Sequence, residues 1–157
     1  MTLILLIAAV VLMDLGIKDT IEKADASEFP KELEGTKGMI VLHKNHNDGL
    51  PFGTLREKKE LVKQIPLTVF SAACGAFAWL LPRKGYRTEK LGLALVIGGG
   101  FSNLYDRMKR GYVVDYFSIQ WKKLKKVVFN LGDICIFLGA FMMLAGEIME
   151  TIREERK

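Results

Sequence analysis

Two carboxylates stand where a carboxylate is costly. Asp115 is embedded in the apolar run Val113–Phe117, and Asp133 closes the segment Phe129-Asn130-Leu131-Gly132-Asp133 at the start of a long apolar stretch. Two acids brought together at a partly desolvated place cannot both ionise easily, so one is held protonated and the other ionised. That state suits aspartic-protease chemistry. The ionised member takes a proton from water as it attacks a peptide carbonyl, and the protonated member stabilises the developing oxyanion. Asp115 and Asp133 lie at the facing ends of one connector, so nothing in the spacing prevents their meeting. Spacing alone does not prove that they meet.

Plainer roles stay open for the same residues. Asn130 followed by Asp133 three residues later has the pattern of a helix N-terminal cap, where an acid also meets the positive end of the helix dipole. Asp106, within Asn103-Leu104-Tyr105-Asp106-Arg107, has Lys109 and Arg110 as partners one turn along a helix. Asp14 and Lys18 stand four apart with the acid first, the geometry of an ion pair across one turn, and are expected to be structural. His43, His46 and Asp48 supply zinc-ligand types. Three candidate ligands in one connector make this the weaker reading, and no metal or cofactor is expected.

The elements that must position these groups are read from the distribution of apolar residues. The chain has 157 residues, 50% hydrophobic and 26% charged, with a net charge of +5. A mean hydropathy of +0.17 fits a small soluble domain as well as a membrane protein. The length excludes a large multidomain enzyme. Apolar residues gather into four blocks, 3–17, 65–81, 91–105 and 131–149. At about 1.5 Å per residue each makes a helix at or just below the thickness of a bilayer core. The second block, IPLTVFSAACGAFAWLL, has no charge at all. A soluble helix of that length carries polar residues on one face, and a chain this small has too much surface to bury several all-apolar helices. The spacing predicts four transmembrane helices. Ala72, Ala73, Gly75, Ala76, Ala78 and the run Gly98–Gly100 are expected to let helix backbones approach in lipid. That glycine run lacks the Gly-Lys-Ser/Thr of a phosphate cradle. Cys74 and Cys135 lie inside apolar runs, where a thiol behaves as a small hydrophobe.

Residues 20–64 form a long arm of mixed charge, with a strand-like stretch Met39–His43 before the turn-rich His46-Asn47-Asp48-Gly49. It is expected to be a small β-containing subdomain outside the bilayer. No small-x-small cleavage site follows the first block, so it is expected to stay as a helix. The short basic link with Arg83, Lys84, Arg87 and Lys90 is expected on the cytoplasmic side, which places both termini there as well. The connector after the third block contradicts that signal, because it carries Lys109, Arg110, Lys122, Lys123, Lys125 and Lys126. Its run Trp121–Lys126 mixes an aromatic and Leu124 among lysines, a composition suited to anionic lipid headgroups rather than nucleic acid.

In order along the chain, Asp14-Leu-Gly-Ile-Lys18, Asn47-Asp-Gly-Leu-Pro-Phe52, Gly98-Gly-Gly-Phe-Ser-Asn103-Leu-Tyr-Asp106-Arg107, Gly111-Tyr-Val-Val-Asp115-Tyr-Phe and Phe129-Asn130-Leu-Gly-Asp133 resemble the motifs of bacterial lipoprotein signal peptidase, signal peptidase II. The resemblance covers nearly the whole chain. It implies a single four-helix membrane domain over 1–157 that works as an aspartyl endopeptidase in the bacterial cytoplasmic membrane. Its substrates would be diacylglyceryl-modified prolipoproteins, cut on the amino side of the lipidated cysteine near the extracytoplasmic face. By the same resemblance Asp115 and Asp133 match the catalytic pair. Asn47, Gly49, Asn103, Arg107 and Asn130 match residues lining the substrate site, with Arg107 suited to a bidentate fork, and Asp14 with Lys18 matches a structural pair. A monomer is expected.

The sequence departs from the family pattern at Phe101 and Ser102, where a small residue and Gly are usual. It departs also at Gly132 in place of Ala, and at Leu50 and Pro51 in place of two alanines. These changes are expected to alter the pocket that receives the lipid more than the reaction. The competing reading is a catalytically degenerate relative that binds or scaffolds lipoproteins.

Overall fold

The computed structural model of the protein describes residues 2–50 and 54–155, so Pro51 and Phe52 of the Asn47–Phe52 segment lie outside the described residues. Helix α1 spans Thr2–Lys23, α2 Lys59–Leu80, α3 Arg87–Lys109 and α4 Leu131–Glu155. Strands β1 (Lys31–Glu32), β2 (Ile40–Asn47) and β3 (Val113–Ile119) form an antiparallel sheet in the order β1-β2-β3. β2 therefore runs beyond the strand-like stretch Met39–His43 and takes Asn47 into the sheet, opposite Val113.

The helices are longer than the apolar blocks. α1 continues past residue 17 to Lys23 because one polar and one apolar residue beyond the block face protein: Lys18 is buried among polar partners and Ile21 packs against Val114 and Tyr116. α2 begins at Lys59, six positions ahead of Ile65, and its added turn carries the exposed Lys59, Glu60 and Lys63. The arm between them is correspondingly 24–58 rather than 20–64. By length and composition, α2 and α4 are apolar enough to cross a membrane. α1 and α3 carry Asp14, Lys18, Asp106 and Arg107 at buried positions.

α3 is the central helix, and its three consecutive glycines serve three neighbours. A Cβ on Gly98 would meet Val10 of α1 at 2.9 Å, one on Gly99 would collide with the Gly132 carbonyl of α4, and one on Gly100 would touch Phe70 of α2 at 3.7 Å. One heptad back, a Cβ on Gly92 would lie 2.6 Å from the Gly139 carbonyl. The pairs Gly92/Gly139 and Gly99/Gly132 define one antiparallel register in which the two backbones touch. Lipid tails are as apolar as leucine, so such close van der Waals contact is what holds helices together in a bilayer. Gly75, by contrast, has open space where a Cβ would stand.

Replacing Gly99 by Ala forces α3 and α4 apart and should destabilise the protein by about 1–3 kcal/mol, the usual cost of overpacking. Gly75→Ala should be neutral or slightly stabilising, because it adds helix propensity without a clash. Thermal unfolding of the detergent-solubilised protein compares the two.

Candidate active site

The chain leaves α3 through Gly111, whose φ of 87° lies in the left-handed region. The turn is closed by Arg110 N–H donating to Asp106 O at 2.7 Å, and Asp106 Oδ2 accepts from Val114 N–H at 3.0 Å. β3 thus starts beside the end of α3. Its residues Val113 to Tyr116 are buried, with Asp115 only 3% exposed among them.

Asp133 is placed by a helix cap. Asn130 Oδ1 accepts from Asp133 N–H at 2.8 Å, and Asn130 N–H donates to Asp133 Oδ2 at 3.2 Å, a reciprocal box at the start of α4. The capping role and a site role are therefore held by the same atoms. The free arm of the Asn130 amide donates to Asp115 Oδ1 at 2.7 Å, so one asparagine holds both acids.

The remaining carboxylate oxygens are each met by another asparagine. Asn47 Nδ2 donates to Asp115 Oδ2 at 3.1 Å, and Asn103 Nδ2 donates to Asp133 Oδ1 at 2.8 Å. A donor on the far side fixes each of these amides. Asn47 Oδ1 accepts from Gly49 N–H at 3.1 Å, and Asn103 Oδ1 accepts from the Lys18 ammonium at 2.7 Å. Because an amide oxygen can only accept, those donors turn each NH2 group toward an acid. Burial, and secondarily the negative Asp133, push the Asp115 carboxyl up to about 7, against the pull of the Asn47 and Asn130 amides.

Asp115, Asp133, Asn47, Asn103 and Arg107 line one cleft of about 70 Å³, closed on the other side by Val127, Phe129 and Phe137. That is room for a few waters. The cleft opens into a mostly apolar groove of about 310 Å³ between α2, α3 and α4, lined by Ile65, Val69, Phe70, Val96 and Ile136. Arg107 stands at the junction of the two. Its fork is engaged within the protein, with Nη2 donating to Gly49 O at 3.0 Å and Nη1 to Asn103 O at 3.4 Å. That clamps the Asn47–Gly49 turn onto α3. Nε is buried and has no hydrogen-bond partner among the described residues.

Behind the cleft lies a wholly buried polar cluster. Lys18 Nζ lies 2.8 Å from Asp14 Oδ2 and 3.2 Å from Asp106 Oδ2, with all three side chains fully buried. It also donates to Ser102 Oγ at 3.1 Å, and Ser102 in turn donates to Asp14 Oδ2 at 2.5 Å. Tyr116 O–H donates to Asp14 Oδ1 at 2.9 Å and accepts from Leu131 N–H at 2.8 Å, joining α1 to the start of α4. Asp106 pairs with Arg110 at 2.9 Å, one of the two partners expected for it, and with Lys18, which was not expected.

Ser102, Asp106 and Tyr116 are the members of this cluster that sequence reasoning did not assign. Its one available signal was that a lysine inside an apolar helix needs more than a single carboxylate. Ser102, a departure from the family pattern, is used in this network. Phe101 is 42% exposed and packs against Phe70 with ring centroids 5.9 Å apart. Gly132 fits its crowded place, since a Cβ there would lie 2.9 Å from Asp14 Oδ2. The three groups weighed as metal ligands turn to separate partners: His43 to Ser118 at 2.8 Å, His46 to Glu22 at 2.7 Å, and Asp48 to Arg56 at 2.6 Å.

A sequence profile of the family described as signal peptidase (SPase) II matches residues 6–149. The lipoprotein signal peptidase of Allorhizobium ampelinum is 32% identical over 152 residues, covering 97% of this chain and 91% of that protein. That of Brucella ovis is 32% identical over 144 residues, covering 92% and 88%. A solved structure described as a bacterial membrane enzyme is similar over 99% of this chain and 93% of its own, with a TM-score of 0.82 at 19% identity. A second of the same description covers 92% and 91%, with a TM-score of 0.75 at 20% identity. At these identities the structural likeness bears on the fold alone.

Lys18→Met leaves Asp14 and Asp106 buried without their shared cation, and breaking a buried pair in this way typically costs about 3–5 kcal/mol. The expected outcome is a large drop in the unfolding temperature of the purified protein and in its yield in membranes.

Proposed function

This chain belongs to the signal peptidase II family of aspartic-type membrane endopeptidases, and from that premise we propose that it frees prolipoproteins of their signal peptides by cutting on the amino side of a lipid-modified cysteine, with Asp115 and Asp133 as its catalytic pair. The observation that carries this is the single cleft in which Asn130 holds both acids and every carboxylate oxygen has a donor.

Asp115, whose carboxyl is pushed up to about 7, is the member that holds the proton. Asp133, at the start of α4, is assigned the role of base. A water between them gives a proton to Asp133 as its oxygen attacks the scissile carbonyl, and Asp115 passes its proton to the carbonyl oxygen. The gem-diol then collapses: Asp133 passes its proton to the cysteine nitrogen, which leaves as the amine as the C–N bond breaks, and Asp115 takes a diol hydroxyl proton as the carboxylic acid product forms. Arg107 lines both the cleft and the groove beside it, and its cationic side chain is the donor we assign to a backbone carbonyl of the substrate. The apolar groove beside it suits the acyl chains of a diacylglyceryl cysteine.

All four helices span the bilayer as one domain over 1–157. Support comes from large apolar side chains left uncovered on every one of them: Leu12 at 71%, Trp79 at 59%, Met108 at 64% and Phe141 at 68% exposure. With both termini cytoplasmic, the sheet and the cleft lie at the extracytoplasmic face. The protein acts as a monomer on prolipoproteins within the bacterial cytoplasmic membrane, binds no nucleic acid, and needs no metal or cofactor.

Asp115→Asn and Asp133→Asn should each lower cleavage of a diacylglyceryl-modified precursor by at least about 10²–10⁴-fold while the protein still folds. Undiminished cleavage by either folded variant would overturn the dyad. Since Asp115 must hold its proton, kcat/KM should fall as pH rises through about 7. The Asn47 amide stabilises the ionised carboxylate, so Asn47→Ala raises the Asp115 value further and should move that alkaline limb to higher pH.

A further inference from the structure

From Tyr116 to Gly132 the chain has no acidic residue, and in its middle stand Trp121 and the run Lys122-Lys123-Leu124-Lys125-Lys126. The fold puts this run at the tip of the sheet. Ile40 at the start of β2 pairs with Ile119 at the end of β3, and Gln120 N–H donates to Met39 O at 2.8 Å. Lys122 then takes a left-handed backbone, φ 46°, and Lys122–Lys126 form a 3₁₀ helix beyond the sheet. Every residue from Trp121 to Lys126 is exposed. Trp121 is 60% exposed and Met39 63%. None of the four lysines has an acidic partner among the described residues.

An exposed basic run on a soluble protein is ordinarily a solvated face. Here the surroundings differ. The underside of the sheet, with Leu33, Ile40, Leu42 and Phe117, joins Leu12 and Met13 of α1 around an open apolar groove of about 730 Å³. Leu12 and Met13 lie in the middle of α1, so uncovered apolar surface is continuous from the bilayer-facing side of that helix to the root of the tip. Lipid tails that cover this surface put the tip at headgroup level. Lysines without acidic partners around an exposed tryptophan and leucine, with Lys122 Nζ 5.2 Å over the Trp121 ring, are the makeup of an interfacial anchor for anionic lipid, in which the apolar side chains enter the interface and the ammoniums meet phosphates.

We infer that residues 121–126 dock the sheet on anionic phospholipid headgroups. The inference rests on the chain's place in a bilayer and not on the catalytic pair. It accounts for a basic connector where the charge bias of the other links does not predict one, since these lysines serve as a lipid contact. Each lysine at the surface strengthens docking roughly fivefold at low salt, less as screening increases.

The test uses the full chain carrying Trp79→Phe, which leaves Trp121 as its sole tryptophan. Reconstituted in nanodiscs of phosphatidylcholine with phosphatidylglycerol, Trp121 should emit at shorter wavelength, and spin labels at the headgroup should quench it more than in phosphatidylcholine alone. High salt should reverse both changes. A further change of Lys122, Lys123, Lys125 and Lys126 to Gln should abolish them without altering thermal unfolding. Emission insensitive to phosphatidylglycerol overturns the inference, as does a response that survives the Gln changes. So does an equal response to inorganic phosphate in phosphatidylcholine nanodiscs, which would make the site one for a free anion. Should the Gln variant fail to fold, the salt and lipid series on the parent protein still decides.

Discussion

A lysine ammonium with no exposed surface, inside a bundle of apolar helices, is the constraint on which the rest of this structure depends. An unpaired buried charge costs several kcal/mol at the least, so Lys18 can sit where it does only if neighbouring elements bring oxygen to it. Asp14 alone would satisfy the charge but not the geometry of three N–H donors. α3 supplies the remainder through Asp106, Ser102 and Asn103. The second carboxylate also pairs with Arg110, which in turn meets Asp19 toward the surface. Among the described residues, α2 and α4 are the helices long and apolar enough to cross a membrane by composition, while α1 and α3 carry the charged groups of this centre.

Packing and chemistry are coupled at one point. The backbones of α3 and α4 touch at Gly99 and Gly132, and Gly132 lies inside the cap that Asn130 and Asp133 form. Asn103 stands one turn beyond Gly99 on α3 and Asp133 is next to Gly132 on α4, so the contact that sets the helix distance also sets the reach of the Asn103 amide to the Asp133 carboxylate. The same amide takes its orientation from Lys18. A bulkier residue at the crossing therefore disturbs the acid as well as the bundle. The alternation of β3 supplies the matching link, with Asp115 turned to the cleft and Tyr116, its neighbour, turned to Asp14.

Much of this was legible in the sequence, and the illegible parts share a cause. The four apolar blocks mark the helices because apolarity is a local property. The helices outrun these blocks where a polar residue is paired inside the protein, as at Lys18 of α1, or where a lone apolar residue packs on the sheet, as at Ile21, which local composition does not reveal. The Asn130–Asp133 cap is visible because its partners are three residues apart. The sheet was seen only in part, because β2 pairs with a strand some 70 residues away and Asn47 looks like a turn residue until Val113 is opposite it. Tyr116 reaches across 102 positions to Asp14, and Ser102 across 88, distances at which spacing has nothing to say. The fork of Arg107 was assigned to substrate because arginine forks suit carbonyls; in the fold Gly49 O and Asn103 O occupy it, and Nε is what remains.

The two acids of the proposed pair are set apart before any substrate arrives. Asp115 lies on a strand and is met by two neutral amides, with no cation in contact with it, so burial dominates and favours the protonated carboxyl. Asp133 lies at the start of a helix, where backbone N–H groups point outward and a negative charge is welcome. The amide that holds one of its oxygens is itself polarised by Lys18. A symmetric pair must wait for its environment to break the symmetry. Here the strand and the helix give the two carboxyls different surroundings, and the buried lysine that governs the packing of α1 also orients the amide that donates to Asp133.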